Sequence, residues 1–196
     1  MTNNFYVKIL YLQQYKNIAL LLISIMFLST KHTDFDRNNV LINEKVKNNV
    51  IDNSYFYRIY YGDHEFISNG LVIFYKINYE KIERYFSKSK IIFKELCNNK
   101  FINSLINIEE TLLNLLNIRN KTKSYLIRDQ LMNGYLKVIN NNIPLNNNIV
   151  HILLKISGFW ETSDSYGITF RCNIIRESSI RKFTIGDNAN VNYHDT

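Results

Sequence analysis

Apolar residues fall into two spacings that alternate in blocks along the chain. Ser54–Tyr61 is dense in aromatic side chains and ends at Gly62-Asp63, and Leu71–Ile77 repeats that character after Asn69-Gly70. Short β-prone runs bounded by Gly, Asn and Asp predict strands. Together these two predict a β-hairpin or meander with a loop at 62–70. From Asn78 the spacing lengthens: Tyr79, Ile82, Phe86, Phe93 and Leu96 are separated by close to whole helical turns, which predicts a helix capped by Asn78. A second helical stripe follows, with Phe101, Leu105, Ile108, Leu112 and Leu115 on one face and Asn103, Asn107, Glu110 and Asn114 on the other. Tyr125–Met132 predicts another short helix before Asn133-Gly134.

Strand character returns at Tyr135–Ile139, and Asn140–Asn148, which holds the sole proline Pro144, reads as a loop. The clearest element comes last. Ile149–Trp160 and Tyr166–Ile175 are β-prone runs joined by Glu161–Ser165, a polar connector of hairpin length. In the first run Ile152, Leu154 and Ile156 take one face while Lys155, Ser157 and Phe159 take the other. In the second, Tyr166, Ile168, Phe170, Cys172 and Ile174 face inward, leaving Gly167, Thr169, Arg171 and Asn173 outward. Gly158 marks a candidate bulge, which would flip the facing of Trp160.

Two regions lie outside these patterns. Ile18–Leu28 is an uninterrupted apolar run between Lys16 and Lys31. It is short for a bilayer span, which needs about 20 residues. It has the length of a signal-peptide core, with Lys8 and Lys16 before it, yet no small-x-small cleavage site follows. A cleaved signal, a buried core segment and a membrane anchor all stay open. Residues 31–53 are polar and Asn-rich and read as a linker. The expected organisation is an apolar leader over 1–30, a linker over 31–53, one α+β domain over 54–176 and a polar tail over 177–196.

Composition refines this picture. Of 196 residues, 46% are hydrophobic and 14% aromatic, enough apolar surface for one folded domain. The formal charge of +7 is compatible with phosphate-bearing or acidic-membrane partners. Asn, Lys, Ile, Tyr and Phe nevertheless share AT-rich codons, so basic and aromatic residues inform only through their placement. Cys97 and Cys172 are too few for a disulfide scaffold and read as small buried side chains, a single disulfide being the alternative. His32, His64, His151 and His194 are scattered, and no zinc spacing occurs. Gly-rich phosphate loops, GxSxG, HExxH and paired metal carboxylates are missing from the sequence, so no enzyme, cofactor or metal is indicated. Glu109-Glu110 reads as a solvated helix face, and Asp63-His64-Glu65 and Asp164 as turns.

Placement is informative on the strands. The outward face of the last hairpin carries Lys155, Phe159, Thr169 and Arg171 beside Trp160. Arg58 and Tyr60 share one side of the first strand, and Phe74 and Lys76 one side of the second. Cations track phosphates while rings accept stacked bases, the mixture that a single-stranded nucleic acid requires. An ordinary half-solvated sheet would carry some of the same residues.

Leu153-Leu-Lys-Ile-Ser-Gly-Phe-Trp-Glu-Thr162 followed by Tyr166-Gly-Ile-Thr-Phe170 resembles the closing hairpin of oligonucleotide-binding (OB-fold) proteins encoded by large DNA viruses and virus-like elements. Gln130-Leu-Met-Asn-Gly134, leading into a Lys-bearing strand, is similar as well. The resemblance implies a small OB-like antiparallel barrel or sheet with a helical insertion. It implies a single-stranded DNA-binding factor of replication or recombination, in nucleus or cytoplasm, using Arg58, Tyr60, Lys76, Lys155, Phe159, Trp160 and Arg171. The alternative is a basic effector or toxin, secreted or membrane-associated, released from an N-terminal signal. A third reading is an interaction protein that forms a homo-oligomer through the helical stripe.

Overall fold

The computed structural model describes residues 30–31, 33–62, 67–85, 88–94, 98–139 and 148–175. The strands are β1 (Thr30–Lys31), β2 (Val40–Lys47), β3 (Tyr55–Gly62), β4 (Ile67–Ser68), β5 (Leu71–Asn78), β6 (Lys81–Tyr85), β7 (Lys88–Ile92), β8 (Thr122–Ser124), β9 (Tyr135–Val138), β10 (Ile149–Glu161) and β11 (Ser165–Ile175). The helices are α1 (Asn99–Leu116) and α2 (Leu126–Met132), and Arg37–Asn39 makes a short 3-10 turn. This is an α+β fold with two open sheets. The larger has eight strands, in the order β1-β5-β10-β11-β8 with β3 also on β10, β2 and β4 on β3, and the smaller is β6-β7-β9.

The thirteen residues of β10 organise the large sheet. Its first half, Ile149–Ile156, pairs antiparallel with β5, and its second half, Gly158–Glu161, with β3. Along its other edge it pairs with β11, with a register shift between Ile156 and Gly158. One unpaired residue there is a β-bulge, and it flips every later side chain to the opposite face. Ile152, Leu154 and Ile156 therefore point into the core, but so do Phe159 and Glu161, while Trp160 faces outward and is half-buried. Inward side chains of β3, β5 and β11, including Ile59, Leu71, Ile73, Ile77, Tyr166 and Ile168, complete the core.

The helices lie on that inner face. Phe101, Ile102, Leu105, Ile108, Leu112 and Leu113 of α1 are buried, with Phe101 packed on Tyr75 at 4.2 Å between ring centroids. The expected stripe is thus observed except at Leu115, which is 37% exposed. Asn98 fixes the start of α1 by accepting from Asn78 N–H at 3.2 Å and donating to the carbonyls of Asn78 and Lys94 at 3.0 Å each. Glu109, expected on the solvated face, is fully buried and accepts from the backbone N–H groups of Ile127 and Arg128 at 2.9 and 2.8 Å. It caps the first turn of α2, whose N–H groups have no partner within the helix.

Three local expectations are corrected. The helix expected from Asn78 to Leu96 is the antiparallel pair β6–β7 as far as it is described. Ser89, Ile91 and Phe93 are buried at every second position, a strand period that a polar Ser89 hides in the sequence. Val40–Lys47, read as linker, is β2, paired with β3; as a largely exposed strand it has little apolar alternation to read. Finally, β3 and β5 do not pair with each other as a hairpin: each pairs with a different half of β10. Cys172 is a buried free thiol, its pKa pushed up to about 12 by burial. The apolar run at 18–28, Asp63-His64-Glu65, Phe86, Leu96, Cys97, the Pro144 loop, His32, His194 and the tail at 177–196 lie outside the described residues. Among the described residues no helix is long and apolar enough to cross a membrane.

Glu161 clamps the far end of β10. Its carboxylate, 4% exposed, accepts from Lys121 Nζ and from the Tyr57 hydroxyl, each at 2.5 Å. Burial pushes this carboxyl up, but the Lys121 and Tyr57 hydrogen bonds outweigh it and hold it below the ordinary value of 4.5. A depressed carboxyl pKa adds stability above the unfolded-state value and loses it as pH falls through the folded-state value. Glu161→Gln is expected to cost about 1–3 kcal/mol at pH 7. In urea titrations the gap to wild type should close as pH falls through the folded-state value; a gap unchanged at acid pH would refute the clamp.

Candidate nucleic-acid interface

The outer face of the large sheet is built in bands, because residues two apart on a strand share a face and pair with the strands on either side. Phe56, Trp160 and Gly167 occupy one row. The next holds Arg58, Gly158 and Thr169. Beyond the bulge comes Val72, Lys155 and Arg171, then Phe74, Leu153 and Asn173, then Lys76 and His151. Two cationic rows therefore lie between rows that carry aromatic rings, successive rows on a strand being about 6–7 Å apart.

Two glycines let the rings lie close to the sheet. A Cβ on Gly158 would overlap the Tyr57 carbonyl oxygen and sit 2.6 Å from the Phe56 ring, and one on Gly167 would meet the Trp160 indole at 2.6 Å. Phe56 and Trp160 thus rest on bare backbone. His151 stacks on Phe74 at 5.7 Å between centroids with planes 8° apart.

The cations are unbalanced. Lys155 and Arg171 are directly opposed across the strands, an arrangement in which like charges destabilise a sheet. Arg58, itself exposed, donates to Asn69 Oδ1 at 3.1 Å and lies 6.0 Å from the Phe56 ring. Burial, then the charges of Arg171 and Arg58, lower the pKa of Lys155. The described ion pairs lie elsewhere, joining Glu161 to Lys45 and Lys121, Glu83 to Lys81, Glu80 to Lys94 and Glu110 to Arg128. Among the described residues no carboxylate forms an ion pair with Lys155, Arg58 or Arg171.

Of the seven residues singled out from sequence, Arg58, Lys155, Trp160 and Arg171 are brought together, with Lys76 two rows further along. Tyr60 shares the outward side of β3 with Arg58, but opposes Leu41 of β2 rather than β10. Phe159 is the correction: it is 0% exposed, turned into the core by the bulge, and offers no ring to a ligand. Sequence alternation missed Phe56, whose outward position matches that of Arg58 and Tyr60.

A depressed lysine pKa means that the protonated form is disfavoured in the folded state. That penalty is fully present at neutral pH and fades only as pH rises through the lowered value. Lys155→Met is therefore expected to stabilise the protein by about 0.5–1 kcal/mol, raising Tm by roughly 1–4 °C, with a smaller gain at high salt. A lower Tm for this variant, measured by calorimetry at both ionic strengths, would contradict the unbalanced-charge description. No protein-family model, curated protein or solved structure matches the chain.

Proposed function

We propose that the protein binds single-stranded nucleic acid, DNA above all, across the outer face of β3, β5, β10 and β11. The observation that carries this reading is the opposed pair Lys155–Arg171 with Arg58 beside it, with no carboxylate partner among the described residues, between the Phe56–Trp160 and Phe74–His151 bands. The cations would neutralise successive phosphates, releasing counterions, and the outward-facing, half-buried rings would receive bases. A duplex hides its base faces and could use only the charge.

The OB-like character of the sheet belongs to the same proposal. A long bulged strand shared by two neighbours bends a sheet as small barrels do at their corners. The likeness of Leu153–Thr162 and Tyr166–Phe170 to viral OB hairpins makes replication or recombination the setting we favour.

The full-length chain should bind a fluorescent oligo(dT) in anisotropy titrations more tightly than a duplex of equal length, and lose affinity steeply with salt. The triple variant Lys155→Ala/Trp160→Ala/Arg171→Ala, folded by circular dichroism, should bind on the order of 100-fold more weakly. Undiminished affinity in that variant would sink the proposal. Phe159→Ala should behave differently, costing about 3–5 kcal/mol of stability while its folded fraction keeps near-normal affinity.

A further inference from the structure

Two surface clefts, of about 260 and 230 Å³, meet at Phe170 and Arg171. The first lies on the banded face, between Lys155, Ser157, Thr169 and Arg171. The second opens round the edge of the sheet, where Lys88, Gln130 and Lys137 face Phe170 and Arg171.

Among the described residues, the ladder along this edge covers only part of β11. β11 has β8 beside it only over Ser165–Gly167. Further along, Ile139 N–H of the small sheet donates to the Cys172 carbonyl at 2.8 Å. β9 thus comes alongside β11 without continuing the ladder, and the gap between them is the second cleft.

The walls of this cleft have one chemistry. Among the described residues, the charged groups lining the two clefts are Lys155, Arg171, Lys88 and Lys137, with no carboxylate beside them. Gln130 Oε1 accepts from Lys137 N–H at 2.9 Å, so its amide N–H groups are what it can present to a ligand acceptor. Phe170, half-buried, forms the apolar wall at the junction.

We propose that the β9–β11 cleft continues the path of the bound single strand. The strand leaves the sheet face over Arg171 and turns round the edge, with Lys88 and Lys137 neutralising its next phosphates and Gln130 donating to a base carbonyl. This inference rests on the reading of the outer face as a single-strand interface. A path that bends round a sheet edge suits a flexible single strand. Duplex DNA, with a persistence length of about 150 base pairs, resists so tight a turn.

The test is a length series of oligo(dT), from about 4 to about 16 nucleotides, titrated against the full-length protein and the variant Lys88→Ala/Lys137→Ala. Both side chains are exposed, so the variant should fold normally. It should match wild type on the shortest oligomer and bind the longest on the order of tenfold more weakly. Its salt slope should be shallower by about 1.4, for two lost phosphate contacts. A control, Lys100→Ala/Arg119→Ala at the two ends of α1, removes the same charge and should leave every affinity unchanged. Three results would overturn the cleft: equal affinity and slope at every length, an equal loss at every length, or an equal effect of the control. Failure of wild type to bind any oligomer would instead remove the outer-face reading, and the cleft with it.

Discussion

The bulge at Ser157–Gly158 is the constraint on which the architecture and the candidate interface both depend. Without the extra residue, strand alternation would carry Phe159 out and Trp160 in. With it, β10 gives Phe159 to the core, Trp160 to the outer face and Glu161 to an inward clamp on Lys121 and Tyr57. The same point is where β10 exchanges β5 for β3. Gly70, at φ +96°, opens β5 there, and a Cβ on it would lie 2.5 Å from the Ile156 carbonyl oxygen. Gly158 takes the crossing because any side chain would strike Tyr57 and Phe56. The change of partner strand and the outward facing of the indole are one event in the backbone.

Charge is sorted around this frame. Glu109 and Glu161 are buried, and each meets donors that its own fold brings to it: the first turn of α2 in one case, Lys121 and Tyr57 in the other. Glu80, Glu83 and Glu110 are engaged with lysines or an arginine on the small sheet and the helices. Among the described residues, the outward charged side chains of β3, β5, β10 and β11 singled out above, Arg58, Lys76, Lys155 and Arg171, are positive. A sheet face that keeps like charges directly opposed gives up stability locally, which is the expected signature of a surface shaped for a ligand of opposite sign.

Legibility from sequence followed the locality of the forces. The last hairpin, α2 and most of the α1 stripe could be read because their periodicity is carried by consecutive residues of one strand or helix. The facing of Trp160 needed only Gly158 to be taken as a bulge. β6 and β7 were misread because Tyr79, Ile82 and Phe93 lie near helical multiples, while the buried Ser89 breaks the visible alternation. The separate pairing of β3 and β5 was beyond reach, since it is decided by β10, some seventy or more residues later in the chain. Around the cleft, Lys88 was not singled out, and Gln130 and the lysine of the following strand, Lys137, entered only through the resemblance, because they join Arg171 only through the approach of β9 to β11.

AT-rich codons enlarge the supply of Lys, Tyr and Phe, but they do not choose where these residues settle. A lysine supplied by drift is tolerated most easily where it is exposed, as Lys47 and Lys100 are. Lys155 is not such a residue: it is partly buried, opposed to Arg171 and close enough to Arg58 to feel its charge. The same holds for Trp160, whose ring needs a glycine beneath it on the next strand. Composition alone accounts for neither arrangement. Both are set by the outward side of β10, where Lys155 opposes Arg171 and the Trp160 indole lies against Gly167.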